Sequence, residues 1–123
     1  MSIYSGIVQE GDHRAEALGF PTINIPFTGN EWGIFVGTVS VEGKHFEAVL
    51  YADQKRCLLE AHLLDFKGNL YGASVSMELL QKIRDDKHFE SDETLEQAIA
   101  GDVSRARHYF SERRSHVSTR SDE

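Results

Sequence analysis

The sequence predicts a small antiparallel β-barrel with one helix packed on it near the C-terminus. Three observations carry that prediction. Short runs rich in Ile, Val, Phe, Thr and Leu recur between tight-turn signals such as Glu42-Gly43 and Lys67-Gly68-Asn69. Beyond Leu80 the pattern changes, and Leu95, Ile99, Val103, Ala106 and Phe110 recur at helical spacing. Finally, 123 residues with 40% hydrophobic content suit one soluble domain with one core.

Taken in order, Ile3 to Gln9 reads as a first strand that ends at Glu10-Gly11-Asp12. Gly11 to Gly19 is a polar loop without the spacing of a P-loop or a dinucleotide fingerprint. Two readings stay open for it. It is either a flap whose backbone N–H groups and Arg14 meet an anion, or a plain surface loop with a turn of helix through Ala15, Glu16 and Ala17.

Leu18-Gly19-Phe20-Pro21-Thr22-Ile23-Asn24-Ile25 follows and holds one of the two prolines. Pro21 fixes its own φ and pushes Phe20 toward extended geometry, so the chain enters Thr22 straight. On a strand over residues 22–25, Ile23 and Ile25 share a core face while Thr22 and Asn24 share the other. That second face offers a hydroxyl and an amide oxygen roughly 6–7 Å apart. Both are hard oxygen donors of the kind Mg²⁺ and phosphate use. A β-former beside a surface amide fits the same pattern.

Gly33 to Val41 is the strongest strand, and Lys44 to Tyr51 pairs back on it through Glu42-Gly43. A short polar turn, Ala52 to Arg56, leads to a strand over Cys57 to Phe66, and Leu70 to Leu80 is the last. Ser91 or Asp92 can cap the helix, with Glu93 and Glu96 favourable near its N-terminus. Gly101 breaks or weakens it. Residues 111–123 are polar and are expected to be disordered, which leaves residues 1–110 as the domain.

The strand Leu58-Leu59-Glu60-Ala61-His62-Leu63-Leu64 puts Glu60 and His62 on one partly apolar face. A carboxylate among apolar neighbours tends to a raised pKa, which suits accepting a proton from a hydroxyl. The pattern leaves a solvent-exposed Glu60 equally open. His62 reads as a hydrogen-bonded structural histidine and Asp65 as a turn-stabilising carboxylate.

Composition narrows the function classes. A net charge of −7 repels a phosphate backbone, so nucleic acid is not expected as a partner. The single cysteine, Cys57, can form no internal disulfide and is read as a buried bystander; this suits a reducing cytosol. No apolar run is long enough to span a membrane and no signal peptide is visible, so a cytoplasmic protein without membrane contact is expected.

Several blocks together resemble the riboflavin kinase (flavokinase) family. Residues 18–25 are similar to its motif L-G-[FYI]-P-T-A-N-[IL], and Gly33-Ile34-Phe35-Val36-Gly37 to its G-V-Y-x-G strand. Glu60-Ala61-His62-Leu63-Leu64-Asp65-Phe66, then Asn69-Leu70-Tyr71-Gly72, resembles its E-x-H-L-L-D-F … D-L-Y-G block. Ile83-Arg84, Phe89, Leu95, Ile99-Ala100-Gly101-Asp102 and Ala106-Arg107 resemble its C-terminal segment.

The resemblance implies a six-stranded, Greek-key-like closed antiparallel barrel with a C-terminal helix. It also implies transfer of the γ-phosphate of ATP to the ribityl 5′-hydroxyl of riboflavin, giving FMN. By position, Thr22 and Asn24 would ligate Mg²⁺ or another divalent metal, and Glu60 would be the catalytic base. Gly11, His13, Arg14, Gly19, Pro21, Thr22 and Asn24 would meet the nucleotide, with the residue 11–19 loop as the flap. Leu64, Phe66, Tyr71 and Arg84 would meet the flavin. The partners implied are the small molecules riboflavin and ATP, and a monomer is expected.

The chain departs from the family pattern at Ala15, where glycine is common, at Ile23, where alanine is common, and at residues 52–56, which shorten a G-x-x-P-T turn. The alternative is therefore a flavin- or nucleotide-binding barrel with impaired turnover and a binding or regulatory role. No adenylyltransferase segment accompanies these blocks, so FAD synthesis is not expected.

Overall fold

The computed structural model describes residues 2–9 and 14–121 of the chain. Its strands are β1 (Ser2–Ile7), β2 (Ile23–Pro26), β3 (Gly33–Val41), β4 (Lys44–Asp53), β5 (Leu58–Leu63) and β6 (Ser74–Arg84). A four-residue helix α1 (Arg14–Ala17) precedes β2, and a long helix α2 (Asp92–Ser121) follows β6. All strand pairs are antiparallel, in the order β1-β6-β3-β4-β5-β2.

β3, β4 and β5 form a meander, and β6 returns to lie beside β3, which is a Greek key. The two outer strands then meet again. A Cβ placed on Gly6 of β1 would lie 3.1 Å from the Ile25 Cβ of β2. Beyond β1, the Gln9 N–H donates to the Asn24 carbonyl at 2.8 Å. The sheet is thus a nearly closed barrel, as the resemblance implied.

Alternation sorts the side chains. Ile25, Val39, Leu50, Leu59 and Met77 fill the barrel, while Ile34, Val36, Val49 and Leu64 face outward onto Ala106 and Phe110 of α2. β3 is buried on both sides for this reason, and so reads as a nearly continuous apolar run. It also carries a register shift against β6 between Val36 and Gly37. A Cβ on Gly37 would come within 2.0 Å of the Glu78 carbonyl oxygen, so the bulge there depends on glycine.

The structure corrects several sequence expectations. The last strand starts at Ser74 rather than Leu70, because residues 70–73 are spent on a turn. The Asn69 side chain accepts from the Tyr71 N–H at 2.8 Å, and Gly72 has φ +78°. β2 begins at Ile23, so Thr22 precedes the strand. Cys57 is exposed, not buried, in a turn residue with φ +56°. Gly101 does not break α2; a Cβ there would meet nothing within 4 Å, so the site makes no packing demand.

Past Phe110, α2 is helical to Ser121. Charge accounts for its first turn beyond Phe110. Arg114 pairs with Glu47 of β4, and the Arg113 guanidinium lies 5.2 Å from the Tyr109 ring. At the other end of the helix, the Ser91 hydroxyl caps it by accepting from the Thr94 N–H at 3.2 Å. Among the described residues, no helix is long and apolar enough to cross a membrane.

Candidate active site

Strand register lays a row of side chains across the outer face of the barrel. Asn24 is opposite Glu60, Glu60 opposite Tyr51, Tyr51 opposite Ile34, and Ile34 opposite Arg84. Directly opposed residues share a face of the sheet. Their chain neighbours Ile25, Leu59, Ala61 and Leu50 point the other way, into the barrel core.

Two members of the row are polar atoms out of place. The Asn24 Oδ1 and the Tyr51 hydroxyl are buried with no hydrogen-bond partner, and among the described residues no other side-chain atom shares that condition. Leaving such a group unsatisfied costs about 1–3 kcal/mol. Both stand beside Glu60. Burial pushes the Tyr51 phenol well above its ordinary pKa, with the nearby Asp102 charge acting in the same direction. The Tyr51 hydroxyl therefore stays protonated as a donor.

Glu60 is engaged by Arg56, whose Nη1 donates to Glu60 Oε1 at 3.1 Å. Arg56 stands in the shortened β4–β5 turn, so the departure at residues 52–56 brings a cation to the expected base. At the far end of the row, Arg84 is held by Asp102 of α2 through Nε at 2.8 Å and Nη2 at 2.7 Å. The Asp102 hydrogen bonds raise the Arg84 pKa above its ordinary value. The Arg84 Cζ lies 5.6 Å from the Phe89 ring.

Two clefts adjoin this row. The outer one, of about 230 Å³, is lined by Tyr51, Glu60, Arg84, Phe89, Leu95 and Ile99 among others. The second, of about 510 Å³, lies at the barrel mouth, where Glu16, Pro21, Thr22, Phe66, Lys67 and Tyr71 contribute to its wall. Glu60 belongs to the first and its neighbour Ala61 to the second. The clefts therefore lie on opposite faces of β5; Glu60 lines the outer one, and Asn24, its register partner, lines neither, while its chain neighbour Ile23 lines the mouth.

Local chemistry fixes the Pro21 turn. The His62 Nδ1–H donates to the Pro21 carbonyl at 2.8 Å, and its ring meets Phe20 edge-on at 5.6 Å. This is the structural histidine read from the sequence. It holds the residues before β2 against β5, which sets the height at which Thr22 enters the mouth.

The sequence-selected residues divide accordingly. Thr22 and Pro21 line the mouth, and Asn24 and Glu60 face each other. Of the four residues expected at a flavin, Arg84 is in the outer cleft, whereas Phe66 and Tyr71 line the mouth with Thr22. Leu64 lines neither; it is buried in the apolar cluster beneath α2. Gly19 closes the turn after α1 with φ +94°. Gly11 and His13 lie outside the described residues, and of Arg14 only the helical backbone is described. Sequence reasoning did not select Tyr51, which no local motif marks and only register aligns with Glu60. It quoted Asp102 only as part of a matching block.

Comparison with known proteins decides the family. A family model described as flavokinase, riboflavin kinase, matches residues 2–110. The chain belongs to the riboflavin kinase family. A bifunctional riboflavin kinase/FMN adenylyltransferase of Pseudomonas fluorescens is 33% identical over 113 residues, covering 84% of this chain and 36% of that protein. The chain thus spans well under half the length of the curated relatives it matches.

Among solved structures, the riboflavin kinase from Trypanosoma brucei superposes with a TM-score of 0.63 at 27% identity, over 89% of this chain and 79% of that one. A protein from Streptococcus pneumoniae described as a macrolide-efflux protein gives a TM-score of 0.75 at 23% identity, over 85% of this chain and 38% of that one. The second likeness shows the barrel fold alone.

Proposed function

We propose that this riboflavin kinase-family chain transfers the γ-phosphate of ATP to the ribityl 5′-hydroxyl of riboflavin, giving FMN. The observation that carries this reading is the Asn24–Glu60 pair, with an unsatisfied buried polar atom on each side of the carboxylate, on strands whose chain neighbours Ile23 and Ala61 line a second cleft. A two-substrate transfer needs one binding site for each partner and a base where they meet.

ATP occupies the mouth cleft in this reading. Lys67 is a cation for its phosphates, Phe66 and Tyr71 are walls for its base, and the residue 11–19 loop, with Gly11, His13, Arg14 and Gly19, is the flap. Riboflavin occupies the outer cleft, where Arg84 and Phe89 receive the ring and Tyr51 and Glu60 receive the ribityl chain. Glu60 orients the attacking hydroxyl and accepts its proton as the phosphoryl group leaves the nucleotide.

A divalent cation fits the donors present. Asn24 Oδ1 is a buried oxygen without a partner, and Thr22 adds a hydroxyl two residues earlier. Mg²⁺ tolerates so few protein oxygens because phosphates and waters complete its shell. Thr22 and Asn24 are the residues that would hold it, and charge neutralisation of the triphosphate is what it supplies. The protein works as a monomer in the cytoplasm on this reading.

One observation favours the competing reading, a barrel that binds without turnover. The Arg56 Nη1 occupies Glu60 Oε1 at 3.1 Å, so that oxygen already has a partner where the ribityl hydroxyl would have to approach. The deciding experiment incubates purified protein with riboflavin, ATP and Mg²⁺ and separates the flavins by chromatography. FMN formation is the expected result. Flavin binding without FMN would replace kinase activity with the binding role.

A further inference from the structure

Arg84 carries five N–H donors on a rigid planar fork. Its Nε and Nη2 donate to Asp102, and one Nη1 hydrogen goes to the Asp85 carbonyl at 3.2 Å. The remaining two, one on each terminal nitrogen, have no partner among the described residues, and the side chain lines the outer cleft. Phe89 lies against the same guanidinium. The result is a fixed pair of donors beside an aromatic wall.

The anchor is costly if it serves only to attach α2. Asp102 is 1% exposed, and a buried ion pair repays its desolvation only with excellent geometry. Attachment is already provided. Ile99, Ala106 and Phe110 bury an apolar stripe, and at the surface Arg107 pairs with Asp65 at 2.9 Å and Arg114 pairs with Glu47. What Asp102 adds is orientation. A bidentate carboxylate restrains a guanidinium in both position and plane.

We propose that Asp102 is a positioning residue for the acceptor substrate, holding Arg84 so that its two remaining donors meet the carbonyl- and nitrogen-bearing edge of a flat heteroaromatic ring in the outer cleft. This rests on the assignment of riboflavin to that cleft. Asp102 touches no substrate; it acts through Arg84. The nucleotide, on the other face of β5, does not depend on it.

The test uses the full chain with riboflavin and ATP as probes. Riboflavin affinity is read by quenching of flavin fluorescence, KM is measured for each substrate, and the melting temperature is recorded alongside. Asp102→Asn is expected to weaken riboflavin about tenfold, with KM for ATP changed by less than about twofold. Asp65→Asn, which breaks the exposed pair on the same helix, is expected to leave riboflavin affinity unchanged. Should Asp102→Asn not fold, Arg84→Lys keeps the charge and loses the fork, and the same riboflavin-selective loss is expected.

Unchanged riboflavin affinity in the folded variant overturns the proposal, as does an equal shift for both substrates matched by Asp65→Asn. A wild-type chain that binds riboflavin and makes FMN beside an unaffected variant removes this inference and leaves the kinase reading standing. A wild-type chain that does not bind riboflavin overturns both.

Discussion

Asn24 and Glu60 stand directly opposite each other across the β2–β5 ladder. Such partners have Cβ atoms about 4.5–5.5 Å apart, so an amide and a carboxylate are held by backbone pairing rather than by their own flexible contacts. Neither can drift from the other without breaking the ladder.

The first consequence concerns the carboxylate. Glu60→Gln keeps shape and removes the proton acceptor. Turnover is expected to fall by about 10²–10⁴-fold with little change in riboflavin affinity. Single-turnover FMN formation beside flavin titration checks this, and unchanged turnover would remove Glu60 from the chemistry.

Asn24→Ala deletes the buried, unpartnered Oδ1. The Mg²⁺ concentration giving half-maximal FMN formation is expected to rise on the order of tenfold or more, while riboflavin binding in the absence of nucleotide is retained. A metal titration of the variant that overlays the wild type would count against a metal at Asn24.

Tyr51→Phe removes a hydroxyl that is buried without a partner. The unliganded protein is expected to be equally stable or about 1 kcal/mol more stable. The pH dependence has a definite sign. The Tyr51 pKa is raised above its ordinary 10.0, so above that pH the unfolded chain releases a proton that the folded chain retains. Wild-type stability therefore falls as alkalinity rises past about pH 10, and the Phe variant falls less. Urea melts at several alkaline pH values report the difference.

At the acid end the relevant group is Glu31. Hydroxyls of Ser2 and Tyr4 donate to it and hold its carboxyl below the usual carboxylate range. A lowered folded pKa adds stability above the unfolded pKa, and this is lost as pH falls through the folded value. Between about pH 5 and pH 3, Glu31→Gln is expected to show a shallower loss than the wild type. Parallel curves would mean that the contact contributes nothing at the protein surface.

Gly37→Ala probes the bulge. The added Cβ would meet backbone at 2.0 Å and the Leu50 Cδ1 at 2.5 Å, and the backbone cannot step aside within a paired strand. A loss of about 3 kcal/mol or more is expected in denaturant unfolding. Gly43→Ala, where φ is +82° but nothing lies within 4 Å, is expected to lose only about 1 kcal/mol from backbone strain.

The strands were readable because their turns are chemically marked. Glu42-Gly43 fixes the β3–β4 hairpin, and alternation along residues 58–63 sorts β5 into two faces. Thr22 and Asn24 could be singled out from Pro21 and period-two spacing. What no local pattern conveys is register. That Tyr51 falls beside Glu60, and that Arg84 ends the same row, depends on pairings between strands far apart in the chain and on bulges in β3–β6. The length of α2 was hidden for a related reason. Its polar end is tied to β4 through Arg114 and Glu47, a contact between residues 67 apart in sequence.

The placement of the two clefts on either side of β5 bears on the order of events in a catalytic cycle. With separate entrances, neither substrate needs to depart before the other arrives, and the phosphoryl group can pass between them in a single ternary complex. On the proposed assignment, initial-rate lines should intersect rather than run parallel, and no phosphorylated form of the protein should accumulate when ATP is supplied alone.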